Sequence, residues 1–409
     1  MKHRVVVTGL GAISSVGIGW RTFWGSLLAG RSGITQIRYV EAADYPTQYG
    51  GEIHDFNPLQ FMEPEEARRL GRGSQMTIAA TKLAFDDAGL LPEEVAAVRT
   101  GVCLGTTMAD VQSLESADEA WVKRGEDRVR PSWILQYPSY SMSAQLARHF
   151  GLTGHNLMIP NACAAGNYAI GYACDLLRSD RTDVMVAGGA EPFSRIIYTG
   201  FSRLSVVAPD RCQPFDRNRK GMIPAEGAGV LVLERLENAL ARRARIYCEV
   251  LGYALGCDAQ HMTIPQIEDV RDVIIKALLA SEIDRSQVDY INAHGTGTPA
   301  NDRTECGAIR AAFGSYADQI PVSSIKSMIG HTMGAASALE AITCALSIRT
   351  GCIPPTINFE TPDPECDVDC VPNVARKRRV DVALNNSFAF GGNNACLVLG
   401  GYHEVDIGE

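Results

Sequence analysis

Short apolar runs that end in glycine alternate along this chain with longer segments of helical period, and this alternation narrows the fold most. Val5 to Gly9, Thr100 to Gly105, Val184 to Gly188 and Gly229 to Leu233 read as buried strands. Between them, Ser74 to Gly89 carries Ala, Leu and Phe on one face and a glycine stop. Ile170, Cys174 and Leu177 form the stripe of another helix. The rhythm restarts near Ile246 with strand Glu249 to Tyr253, helix Val270 to Ser281, strand Tyr290 to Ala293 and helix Thr304 to Phe313. Strand Val322 to Ser324, helix Gly334 to Arg349 and strands Val382 to Asn385 and Ala395 to Leu399 complete it. The pattern predicts a layered α/β fold, and its recurrence predicts two duplicated halves, 1–245 and 246–409. Asp110 to Arg130 is polar and charged and reads as an inserted surface region. No low-complexity linker divides the 409 residues, so the halves are expected to pack as one unit.

The 12 cysteines sit in apolar segments without a CxxC spacing, which predicts reduced thiols, no metal centre and a cytoplasmic setting. A net charge of −9 argues against nucleic-acid affinity. No segment approaches the ~20 apolar residues of a membrane helix, so no membrane partner is expected. Met1-Lys2-His3-Arg4 runs directly into Val5, without the apolar stretch of a signal peptide.

Four motifs carry chemistry. Asn161-Ala162-Cys163-Ala164-Ala165-Gly166 follows an apolar run and opens a helix. Its small neighbours admit a substrate, and the helix terminus favours thiolate and makes Cys163 a candidate nucleophile. A buried structural thiol is the competing explanation. His294-Gly295-Thr296-Gly297-Thr298-Pro299 leaves a strand end, where α/β proteins place sites, although a turn with a satisfied histidine would look the same. Lys326-Ser327-Met328-Ile329-Gly330-His331 repeats the arrangement, with a Lys able to pair with a carboxylate and orient a network. A solvated Lys and a capping His are the alternatives there. Asn386-Ser387-Phe388-Ala389-Phe390-Gly391-Gly392 places two aromatics in a Gly-rich loop, suited to a mobile gate or a backbone donor.

Together, in this order, the motifs resemble the β-ketoacyl-[acyl carrier protein] synthases of the thiolase superfamily, most closely the elongating synthase II type. Val5 to Gly11, Val186 to Glu191, Pro214-Phe215-Asp216, Glu226 to Gly229 and Pro354 to Asn358 extend the resemblance over the whole chain. It implies a five-layered αβαβα fold of two pseudo-symmetric thiolase-like halves, Cys163 in the first and His294 and His331 in the second. It also implies decarboxylative Claisen condensation of an acyl-Cys163 intermediate with malonyl-[acyl carrier protein]. Phe390 and Cys163 would supply oxyanion N–H groups, and Lys326 and Glu305 an ion-paired support, with Asp302 beside them. Thr263, Thr296 and Thr298 match pantetheine-binding positions. Met108 matches an acyl-pocket gate, and Trp133 or Ile134 the pocket floor closed by a partner subunit. No cofactor is required beyond the phosphopantetheine arm carried by the acyl carrier protein. Arg68, Arg69, Arg72, Lys123, Arg124 and Arg203 match docking regions for that acidic partner.

Lys220, Met222 and Ala225 depart from the family pattern, which has Asp, Phe and Gly there, and Ala164-Ala165 replaces commoner hydroxylated residues. These departures open a polyketide or polyene pathway beside fatty-acid elongation. They also open a heterodimer with a chain-length-factor homologue beside a homodimer. An acyltransferase on a ketosynthase scaffold is a further alternative, since it could keep Cys163 and discard decarboxylation. A length-setting subunit would lack Cys163, a coenzyme A starter enzyme would have Asn for one His, and a thiolase would want a second Cys near the Gly-rich loop.

Overall fold

The computed structural model describes residues 3–41 and 45–402. Ten strands build the frame: β1 (Val5–Ser14), β2 (Thr100–Gly105), β3 (Asn156–Ile159), β4 (Val184–Glu191), β5 (Gly227–Arg235), β6 (Cys248–Cys257), β7 (Tyr290–Asn292), β8 (Val322–Ser323), β9 (Val382–Phe388) and β10 (Asn393–Gly400). Eight helices matter to the site: α1 (Arg72–Ala88), α2 (Val111–Arg124), α3 (Tyr140–Phe150), α4 (Ala165–Arg178), α5 (Arg195–Arg203), α6 (Ile267–Ala280), α7 (Pro299–Phe313) and α8 (Ala336–Thr350).

The strands run in the order β8-β7-β9-β10-β6-β1-β5-β4-β2-β3, with the short Gly17–Ile18 paired off β1. Numbered within its own stretch of chain, each set of five has the order 3-2-4-5-1. Each set also has two parallel pairings followed by two antiparallel ones. The sets touch edge to edge through Val6 against Glu249 and Val7 against Cys248. α4 and α8 pack on strands of both sets, while α1 covers the first and α6 the second, so helix and sheet alternate in the layers of the thiolase fold. Their sequences explain this placement. α4 and α8 are apolar and small along most of their length, and α8 is buried from Ala336 to Ser347. Gly11 lets α1 pack at backbone distance, since a Cβ there would stand 1.8 Å from the Ala80 carbonyl oxygen.

Most boundaries match the sequence pattern, with three differences. β1 continues to Ser14 rather than stopping at Gly9, because Leu10 to Ser14 stays buried against β5. α7 begins at Pro299, five residues early, since proline fits the first helical turn where no N–H is needed. Asp110 to Arg130 is not a surface insertion: α2 fills most of it and buries Val111, Ser113, Glu115, Ala117 and Ala120. Glu115 is held there by Tyr39 Oη, Ser194 Oγ and the Ile196 N–H, so a carboxylate faces inward. Among the described residues no helix is long and apolar enough to cross a membrane.

Candidate active site

Each half delivers its reactive residue by the same device. After β3, the 3-10 turn Ala162–Ala164 leads into α4; in the second half, the 3-10 turn Met333–Ala335 leads into α8. The first residue of each turn is left-handed without being glycine, Ala162 at φ 49° and Met333 at φ 49°. Such backbone persists only where its surroundings over-determine it. Cys163 follows the first of these residues and His331 precedes the second by two.

The Cys163 Sγ and a ring nitrogen each of His294 and His331 lie within 4.8 Å of one another, all buried. The imidazoles meet edge to face at 5.4 Å and 82°. They share a cavity of about 320 Å³ with Phe201, Met222, Thr263, Thr296, Thr298, Phe388 and Phe390. The Cys163 carbonyl accepts from Ser387 Oγ at 3.0 Å and Ser337 Oγ at 3.3 Å, which fixes the turn. Cys163 and Phe390 stand in the first turns of 3-10 segments, where N–H groups have no intrahelical acceptor and can receive an oxyanion.

Both histidines are set as Nε2–H tautomers. Lys326 Nζ donates to His294 Nδ1 at 3.4 Å, and the Met333 N–H donates to His331 Nδ1 at 3.1 Å. With Nδ1 accepting, the hydrogen of each neutral ring sits on Nε2. Burial and the Lys326 charge hold both rings well below the usual histidine range, so neither charges near neutrality. The trio therefore offers two donors and a thiol. A metal would need bare ring nitrogens, normally backed by Nδ1–H donation rather than acceptance.

Supporting residues clamp the two loops. Glu305 accepts from the His294 and Gly295 N–H groups at 2.9 and 2.8 Å, and Asp302 from Phe215 and Gly297 at 2.9 and 3.2 Å. Ile223 accepts the His331 N–H at 2.7 Å, and Ala225 donates to the His331 carbonyl at 2.9 Å. The expected Lys326–Glu305 pair does not form. Lys326 pairs instead with Glu340 of α8, because Glu305 is occupied by backbone donors. Glu340 is the site residue that the motifs miss, and the signal for it is a single carboxylate in a helix buried from Ala336 to Ser347. Burial pushes Glu340 up and Lys326 pulls it down.

Burial opposes the thiolate that the helix terminus favours and pushes the Cys163 thiol up to about 12, against the opposing pull of Lys326. Alkylation of Cys163 by iodoacetamide, followed by peptide mass, is thus expected to keep accelerating from pH 7 to 10 as thiolate accumulates. A plateau by pH 8 would show that the dipole outweighs burial.

Thr263, Thr296 and Thr298 line the cavity as expected, the last two with hydroxyls 2.9 Å apart. Met108, Trp133 and Ile134 do not line it. Met108 and Ile134 are exposed, and Trp133 lies half-buried beneath Arg130. Among the cationic candidates Arg72 drops out, because its guanidinium forks onto the buried Glu226 at 2.7 and 2.8 Å. Arg68, Arg69, Lys123, Arg124 and Arg203 are exposed, with Arg69 against Glu65 and Lys123 against Glu119.

A layered α/β frame around a cavity that holds a buried thiol and two imidazole donors defines an acyl-transferring enzyme of the thiolase-like fold. The chain belongs to the beta-ketoacyl synthase family, with residues 2–239 matching its N-terminal domain and residues 247–360 its C-terminal domain. It is 42% identical to the 3-oxoacyl-[acyl-carrier-protein] synthase 2 of Synechocystis sp., over 98% of this chain and 99% of that one. A solved chain of the ishigamide ketosynthase/chain length factor is 40% identical with TM-score 0.95, covering 98% of this chain and 100% of that one. A chain from a type II PKS acyl-carrier protein in complex with its ketosynthase is 30% identical with TM-score 0.90, over 98% and 100%.

Proposed function

We propose that this chain is a β-ketoacyl-[acyl carrier protein] synthase that elongates acyl chains by decarboxylative condensation. The observation that carries this reading is the convergence of Cys163 and two neutral Nε2–H donors in one buried cavity. Cys163 Sγ attacks the acyl thioester; the new S–acyl bond forms, the pantetheine S–C bond breaks, and the thiol proton leaves with the pantetheine sulfur. The N–H groups of Cys163 and Phe390 hold the oxyanion, while Thr263, Thr296 and Thr298 hold the arm.

Malonyl-carrier then places its thioester oxygen against His294 and His331. Loss of CO₂ leaves an enolate on that oxygen, stabilised by two preorganised donors. The carbanion attacks the acyl carbonyl, a C–C bond forms, and Cys163 departs as thiolate and takes a proton from water. Lys326, with Asp302 and Glu305, positions the histidines and transfers no proton.

The polypeptide divides near 245/246 into its two halves. It works in the cytoplasm without a metal, as a homodimer or beside a chain-length-factor homologue, in fatty-acid or polyketide/polyene elongation. In that dimer Met108 and Trp133 or Ile134 border an acyl chamber completed by the partner. Arg68, Arg69, Lys123, Arg124 and Arg203 receive the acidic carrier protein.

Intact-mass spectrometry with acyl-carrier proteins of graded length, then malonyl-carrier, tests the reading. Acylation of Cys163 and its discharge as a β-ketoacyl product are expected. Loading without discharge would favour an acyltransferase or a missing partner, and no loading would sink the catalytic reading of this chain alone.

A further inference from the structure

Two turns with left-handed, non-glycine backbone, one after β2 and one before α8, meet on one buried carboxylate. Glu191 ends β4 and is fully buried. Its Oε1 accepts from the Met108 N–H at 2.9 Å. Its Oε2 accepts from the Thr107 N–H at 2.5 Å, the Gly334 N–H at 3.2 Å and Thr106 Oγ1 at 3.2 Å. Thr106 Oγ1 in turn accepts from the Ala109 N–H at 2.8 Å. Ala109 is left-handed at φ 52° and Met333 at φ 49°, neither a glycine. Each needs its surroundings to hold it there. Met333 is also the residue whose N–H sets the His331 tautomer. The grip of Glu191 on Gly334 thus lies one peptide away from the donor that orients a site histidine.

We propose that Glu191 is a positioning residue that holds the His331 turn through one oxygen and the Met108 turn through both, so that decarboxylation and acyl-chain acceptance share one anchor. This inference rests on the condensing reading above and on the place proposed there for Met108 at the acyl chamber. The two oxygens differ in load, and that difference makes the anchor separable. In Glu191→Gln the amide oxygen takes the position facing three donors, because an NH₂ group there would meet three hydrogens. The NH₂ group then faces Met108, whose N–H alone loses its acceptor. In Glu191→Ala both turns are released.

Two half-reactions of the whole protein read this out: acyl loading of Cys163 against chain length, and CO₂ release from malonyl-carrier. Glu191→Gln is expected to keep CO₂ release within about threefold, while kcat/KM for loading falls and its chain-length profile shifts. Glu191→Ala is expected to lose about 10²-fold in CO₂ release as well, the scale of one misplaced preorganised donor. A common loss of both half-reactions in the Gln variant would overturn the inference, since that is what a purely structural carboxylate gives. Unchanged CO₂ release in a folded Ala variant would also overturn it. Failure of the unaltered protein to load any acyl group would instead take down the condensing reading and this inference with it.

Discussion

Cys163→Ala is expected to leave the protein folded with no acyl loading and no condensation, whereas His331→Ala loads Cys163 and then stalls. The two losses differ because the geometry divides the labour. Cys163 is the only thiol that lines the cavity among the described residues, and the exposed Cys257 lies on β6 outside it. Removing the sulfur leaves nothing to form the acyl intermediate. The carbonyl that holds the turn, bonded to Ser387 and Ser337, is untouched, so the fold survives. In the proposed mechanism His331 contributes one Nε2–H to the second substrate. Loss of one such donor costs about 10²–10³ in rate. Loading, in the same mechanism, uses the backbone N–H groups of Cys163 and Phe390 and is expected to proceed without it. Intact mass of each variant after acyl-carrier, then CO₂ release from malonyl-carrier, checks both arms, with thermal unfolding as the control. A His331→Ala protein that loads as poorly as it decarboxylates would contradict this division.

What was legible in the sequence was what depends on neighbours in the chain. Strands such as Thr100–Gly105 are buried on both faces and show as continuous apolar runs. Cys163, His294 and His331 stand beside small residues and glycines that a packed core alone does not demand. What failed depended on distance. Arg72 looks like a free cation until Glu226, 154 residues on, comes against it. The Lys326 partner could not be read because α8 brings Glu340 against Lys326 only after the layers stack. α2 reads as a surface insertion in sequence because its inward face carries Glu115 and Ser113 beside Val111 and two alanines, with no large apolar stripe. Met108, Trp133 and Ile134 stand apart from the cavity of the single chain, because exposure and distance from the site are set by packing and not by neighbours in the sequence.

The buried Lys326–Glu340 pair predicts a stability loss and an activity loss that one double variant separates. Both side chains are about 1% exposed, and Glu340 Oε2 has no further partner among the described residues. Removing either alone strands a charge in the centre of the molecule. Lys326→Met or Glu340→Leu is therefore expected to destabilise by about 3–5 kcal/mol, read from denaturant midpoints at unchanged slope. Replacing both together removes the stranded charge, and an apolar pair of similar volume is often neutral or stabilising by about 1–4 kcal/mol. The double variant should thus recover most of the lost stability. It should not recover CO₂ release from malonyl-carrier, because His294 Nδ1 has lost the Lys326 donor that keeps the hydrogen on Nε2. Restored activity in the double variant would mean that the pair serves only the fold. Single variants as stable as the unaltered protein would mean that the charges are not buried against each other in solution. The expected result, a stable protein that loads Cys163 but does not decarboxylate, would place the role of Lys326 in the tautomer of His294.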